Sequence, residues 1–121
     1  LNLSGSNPLR GPNDEAIGPR FPDMSEVYAP DLRTLVRGAA EAAGCTVVEG
    51  VLAELPRGRL GSEADDTRLL GLGADLVGAG VVSPAIVARH AGLRVVALLG
   101  IGEPPPPGVL DAVLASVGGR G

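Results

Sequence analysis

Residues 74–99 read ADLVGAGVVSPAIVARHAGLRVVALL. Ala74 to Ala79 is a short apolar run that predicts a buried strand. Ser83 followed by Pro84 predicts a helix N-cap and first-turn pair, because proline needs no hydrogen-bond donor in the first turn. The helix then runs to Ala91, with Gly92 as its stop. Leu93 to Leu99 is a continuous apolar run, as in a strand covered on both faces. Strand, helix and strand in that order predict a βαβ unit with parallel strands and a right-handed crossover. The fold class is therefore α/β.

Upstream, Pro30 to Ala43 predicts a helix. Pro30 suits its first position and Asp31 complements the N-terminal dipole. Leu32, Leu35, Val36 and Ala39 share one face, and Gly44 is placed to end it. Thr46 to Leu55 (TVVEGVLAEL) predicts a strand with a bulge at Gly50. Pro56 to Gly61 reads as a turn. Ser62 would cap a helix to about Leu70, ended by Gly71 and Gly73. Downstream, the prolines from Pro104 to Pro107 predict an extended segment, and Val109 to Val117 a short apolar helix. Gly71-Leu72-Gly73 and Gly100-Ile101-Gly102 read as turns, not as phosphate loops.

The opening stretch differs from all of this. Asn7 to Tyr28 (NPLRGPNDEAIGPRFPDMSEVY) holds four of the chain's eleven prolines, and its only Phe, Met and Tyr. Such proline spacing excludes a regular helix or central strand. Leu9, Ile17, Phe21 and Met24 supply apolar groups at intervals that would anchor it. The expectation is an ordered, irregular loop that presents something.

With 121 residues, the chain suffices for one domain. Its 2% aromatic content leaves Leu, Val and Ala to build the core. A net charge of −4 with dispersed basic residues argues against nucleic acid or an anionic membrane as partner. No apolar run reaches the roughly 18 residues of a membrane span. The single cysteine, Cys45, forms no internal disulfide and reads as a small buried thiol. No signal peptide is visible, so a cytoplasmic location is expected. The chain starts at Leu1 with LNLSG, which looks like the tail of a strand. That implies a start inside a larger domain.

Two motifs carry a resemblance. LNLSGSNPLRGPND followed by GPRFPDMSEVY, and LGADLVG followed by IVARHAGLRVV, are similar to the trimeric purine nucleoside phosphorylases. The likeness runs from Leu1 to about Leu99, with a weaker trace in VLDAVLASVG. It implies a nucleoside-phosphorylase-like mixed sheet flanked by helices, incomplete because the N-terminal strands precede Leu1. On this reading residues 1–29 are an interface and substrate loop, 30–99 the α/β core, and 100–121 a shortened tail with its helix. The implied reaction is phosphorolysis of purine (2′-deoxy)ribonucleosides to free base and (deoxy)ribose 1-phosphate. Inorganic phosphate is a co-substrate and no cofactor is needed. Catalysis in the family stabilises charge developing on the leaving purine.

The resemblance places Phe21 where the family has an aromatic that crosses the trimer interface and covers the neighbour's ribose. From the residues alone, Phe21 would pack locally. The family's base-binding acid falls on Gly61 and its stacking aromatic on Leu60. Gly58, Arg59 and Ser62 take neighbouring positions of that motif. Glu63 lies two residues from the acid and reads as a helix N-terminal charge. The family's phosphate-binding Ser falls on Gly80, and its sugar-contacting Met on Ala79. Its Thr-Asn pair falls on Gly102 and Glu103. His90 reads as a partner of its own helix dipole, not as a catalyst. The phosphate loop, with its Arg and His, would precede Leu1. No catalytic residue is therefore assigned.

These departures imply a phosphorylase-like subunit or fragment that is inactive alone. Its partners would be copies of itself in a homotrimer or a complementary phosphorylase chain. The alternative is a non-catalytic scaffold or regulatory pseudo-subunit. A third reading is a degenerate fragment with exposed strand edges.

Overall fold

The computed structural model describes residues 1–56, 63–102 and 106–118, with the side chains of 63–66 outside the description. Six elements follow in order: α1 (Pro30–Ala42), β1 (Leu52–Glu54), α2 (Glu63–Gly71), β2 (Leu76–Gly78), α3 (Val82–His90) and α4 (Val109–Gly118). The α/β class is as the sequence implied. The chain forms two compact units. One comprises Leu1–Pro22 and Glu49–Leu93, the other Asp23–Val48 and Arg94–Gly121.

Three helices end alike. After α1, the amides of Gly44 and Cys45 donate to Glu41 and Ala40 at 2.9 Å each. The same pair of bonds closes α2 at Gly73 and Ala74, and α3 at Gly92 and Leu93. Each pivots on a glycine of positive φ, at 82°, 80° and 75° in turn. That conformation strains any residue with a Cβ, so the glycines fix where the helices stop. The stops at Gly44, Gly73 and Gly92 are those read from the sequence.

In the first unit, β1 and β2 pair in parallel, with Leu52, Ala53 and Glu54 opposite Leu76, Val77 and Gly78. Asn2 adds a parallel bridge to Glu54 on the other side of β1, so LNLSG does lie alongside a strand. Ala53, Leu69 and Ala74 form the buried cluster, with Leu55 and Val77 against it. The crossover between paired strands therefore carries α2 and spans β1 to β2.

This corrects the βαβ unit expected over 74–99. Leu93 to Leu99 is not a strand; its one ladder contact is a parallel bridge from Val95 to Tyr28. Strand-forming residues become a strand only beside an edge that pairs with them. Among the described residues, Tyr28 is the single bridge partner for this run. The strand expected over 46–55 shortens likewise to Leu52–Glu54, and Val48 is 85% exposed. The bulge at Gly50 has no ladder to interrupt. Among the described residues, every strand pairing and bridge is parallel.

In the second unit, the apolar face of α1 meets α4. Val36, Ala40, Val109 and Val113 are buried together, with Cys45 and Val96 packed against them. Burying each valine contributes about 1.5–3 kcal/mol. Cys45 is a free thiol that packs against this cluster but is only half-buried, not the fully buried group expected. No described helix is long and apolar enough to cross a membrane.

Candidate functional site

The opening loop of the first unit is ordered by polar groups, not by the apolar anchors expected. Ile17 is 55% exposed and Phe21 86% exposed. Leu9 and Met24 are half-buried. Instead, short side chains hold the backbone two residues on. Asn2 Oδ1 accepts from the Ser4 amide at 3.2 Å, Asn7 Oδ1 from Leu9 at 2.9 Å and Asp14 Oδ1 from Ala16 at 3.0 Å. These Asx turns substitute for a backbone ladder that the prolines forbid.

The loop is docked at the C-terminus of α3. Asn13 donates from Nδ2 to the Gly18 carbonyl at 3.0 Å, and its Oδ1 lies 3.2 Å from His90 Nε2. With the amide nitrogen committed to a carbonyl, Oδ1 faces the ring, so His90 donates from Nε2. His90 is only 8% exposed. It is thus a buried anchor for the loop and not simply a solvated partner of its helix dipole. A Cβ at Gly18 would lie 2.0 Å from the His90 carbonyl oxygen, so only glycine permits this approach.

Three residues beyond Gly18, Phe21 stands clear of the protein. Its ring has the Arg20 guanidinium 5.8 Å from its centroid, within cation–π range. Local packing, the alternative for Phe21, is not what this exposure describes.

A second feature lies where β2 turns into α3. Ser83 does not cap α3. The helix starts two residues earlier than that cap implies, at Val82; its N-cap is Val81, which makes no side-chain hydrogen bond. The cap comes from the neighbouring strand. Glu54 Oε2 accepts from the amides of Val81 and Val82 at 2.8 Å each. Glu54 is 5% exposed. A buried carboxylate is tolerated where charge-assisted hydrogen bonds replace water, and the positive end of a helix adds to them. Pro84 then sits in the first turn, where its missing donor costs little.

Around this turn, Ala79 and Gly80 are exposed and Ser83 is half-buried. Gly80 has φ of +84°, and open space where a Cβ would be. Gly58, Arg59, Leu60, Gly61, Ser62 and Glu103 lie outside the described residues, as does the side chain of Glu63. Gly102 is exposed, with φ of +78°. Among the described residues, no group of three or more His, Cys, Asp or Glu could hold a metal ion.

Sequence reasoning overlooked Glu54 and Asn13 as individual residues. Glu54 leaves a trace, a lone acid between Ala53 and Leu55 in an apolar run. Its partner lies 27 residues on, which no local pattern reveals.

A parallel strand pair whose second strand turns directly into the N-terminus of α3, with an irregular loop docked on the other end of that helix, defines an α/β protein. The family model of the Phosphorylase superfamily matches residues 1–113, and the chain belongs to that superfamily. Its relatives there are purine nucleoside phosphorylases, as the motifs implied. It is 41% identical over 114 residues to purine nucleoside phosphorylase 1 of Geobacillus stearothermophilus, covering 94% of this chain and 41% of that protein. It is 44% identical over 95 residues to the purine nucleoside phosphorylase of Bos taurus, covering 77% of this chain and 33% of that one. Among solved structures, isoform 2 of the Schistosoma mansoni enzyme, in complex with cytosine and ribose-1-phosphate, matches with a TM-score of 0.73 at 33% identity. That match covers 93% of this chain and 42% of the other. The chain thus spans about two-fifths or less of these relatives' length.

Proposed function

We propose that the chain acts as part of a purine nucleoside phosphorylase assembly and does not catalyse phosphorolysis by itself. The assembly converts purine (2′-deoxy)ribonucleosides and phosphate to free base and (deoxy)ribose 1-phosphate. Phe21 serves a neighbouring subunit, either another copy in a homotrimer or a complementary phosphorylase chain, in the cytoplasm. The carrying observation is the contrast between the loop and the turn. The loop is tightly docked at Asn13, Gly18 and His90, yet holds Phe21 86% exposed. The turn after β2 offers Ala79 and Gly80, neither of which has a polar side chain for phosphate. An exposed aromatic beside a docked loop has the form of an interface anchor.

The test is complementation. Inosine and guanosine are incubated with phosphate and the chain, alone and with a polypeptide covering the part of the G. stearothermophilus protein outside the match. Base release in the mixture only is the expected result. Release by the chain alone overturns its dependence on a partner. No release in either sample, with both polypeptides folded, overturns the enzymatic reading.

The backbone at Gly80 favours the pseudo-subunit as second reading. Its positive φ would strain a serine by about 1–2 kcal/mol. The turn is thus adapted to glycine and not merely depleted of a hydroxyl. Calorimetric titration with hypoxanthine, guanosine and phosphate separates the two, since tight binding of any of them rules the pseudo-subunit out.

A further inference from the structure

We infer that Glu54 is a built-in anion that occupies the start of α3 and keeps external phosphate from it. The backbone of Glu54 is pinned on two sides. Its amide donates to the Leu1 carbonyl and its carbonyl accepts from Leu3, both at 2.9 Å. On the other side it is in register with Gly78, the last residue of β2. From there its side chain spans only the Ala79–Gly80 turn to reach the first amides of α3.

The amides of Val81 and Val82 converge on one oxygen, Oε2, at 2.8 Å each. Convergent amides at a helix N-terminus are the usual means of holding a phosphate or carboxylate. The site also lies at the carboxyl ends of two parallel strands, where open α/β sheets bind ligands. Here those donors are spent on the chain's own carboxylate. A second anion would have to displace a side chain that is 5% exposed, or sit beside its negative charge. Either is unfavourable, because removing the carboxylate's hydrogen bonds leaves a buried charge unpaired. The contact is therefore autoinhibitory toward anions, and it places Glu54, not Gly80 alone, at the origin of the lost phosphate contact. Only the choice of phosphate as the excluded anion rests on the phosphorylase reading.

The test uses the full chain, inorganic phosphate and no nucleoside or second polypeptide. Its outcome is therefore independent of complementation. Amide resonances of Val81 and Val82 are followed by heteronuclear NMR during a phosphate titration of wild type, E54Q and E54A. In the wild type neither resonance should move. In E54A both should shift saturably, with apparent affinity for phosphate at least about 10-fold above the upper limit that the unmoved wild-type resonances set. E54Q retains an acceptor oxygen and should fall between them. Equal shifts in wild type and E54A overturn the inference, as does a folded E54A that phosphate leaves unmoved. Amide hydrogen exchange covers the case in which E54A fails to fold. Val81 and Val82 should be protected in the wild type, insensitive to phosphate, and less protected in E54Q. Unprotected amides in the wild type would overturn the assignment of the cap.

Discussion

His90 Nε2 donates to Asn13 Oδ1 across 3.2 Å, joining a helix end to a loop 77 residues earlier in the chain. The same asparagine holds the Gly18 carbonyl through its amide nitrogen. One side chain thus ties the loop both to itself and to α3. Replacing Asn13 with Asp should cost about 1–3 kcal/mol. The new carboxylate keeps an acceptor for His90 but sets an oxygen against the Gly18 carbonyl. H90A should cost a similar amount by leaving Asn13 Oδ1 without its ring donor. Chemical denaturation gives the magnitude, and hydrogen exchange over residues 14–21 shows whether the loop is what loosens.

At Gly18 the expectation is steric. A Cβ would stand 2.0 Å from the His90 carbonyl oxygen and 2.9 Å from its carbon, both backbone atoms. G18A must push the loop off α3, at a cost of about 1–3 kcal/mol. Melting temperature should fall, and the His90 ring resonances should report the loss of the Asn13 contact. An unchanged melting temperature would mean the loop docks in another way.

Phe21 should behave in the opposite manner. At 86% exposure, F21A should change the stability of the isolated chain by less than about 0.5 kcal/mol. Its effect belongs to assembly, as reduced association in native mass spectrometry and reduced base release in the complementation assay. A large loss of stability in the isolated chain would assign the ring a structural role instead.

In the second unit, Arg94 hydrogen-bonds Asp31 at the start of α1. That bond, first, and the guanidinium charge beside it hold the Asp31 carboxyl below the usual aspartate range. A carboxylate with a lowered folded-state pKa contributes stability above its unfolded pKa, and loses it as pH falls through the folded value. The side chains are 57% and 63% exposed, so the contribution is small and sensitive to salt. D31N should therefore flatten the acid limb of the melting curve between about pH 5 and pH 2. It should leave the neutral-pH melting temperature nearly unchanged in high salt.

The sequence by itself determined the helices and where they stop. Of the four residues read on one face of α1, Leu32 and Val36 are buried and Leu35 and Ala39 half-buried, and Gly44, Gly73 and Gly92 stop α1, α2 and α3. Those signals work because helical periodicity and capping chemistry act within a few residues. The motifs of the opening loop and of 72–96 also carried the family. Tertiary structure decided the strands and the contacts of the site. Leu93 to Leu99 has the composition of a strand, yet a strand exists only where an edge receives it. The cap of α3 was written locally as Ser83, but the bonds come from Glu54, 27 residues away from Val81. The loop was expected to be anchored by apolar side chains, and is instead held by Asn13 and His90. In each case the deciding partner is distant in sequence. Hydrogen-bonding capacity can be read from residue type, but which groups meet is fixed only when the backbone has folded around them.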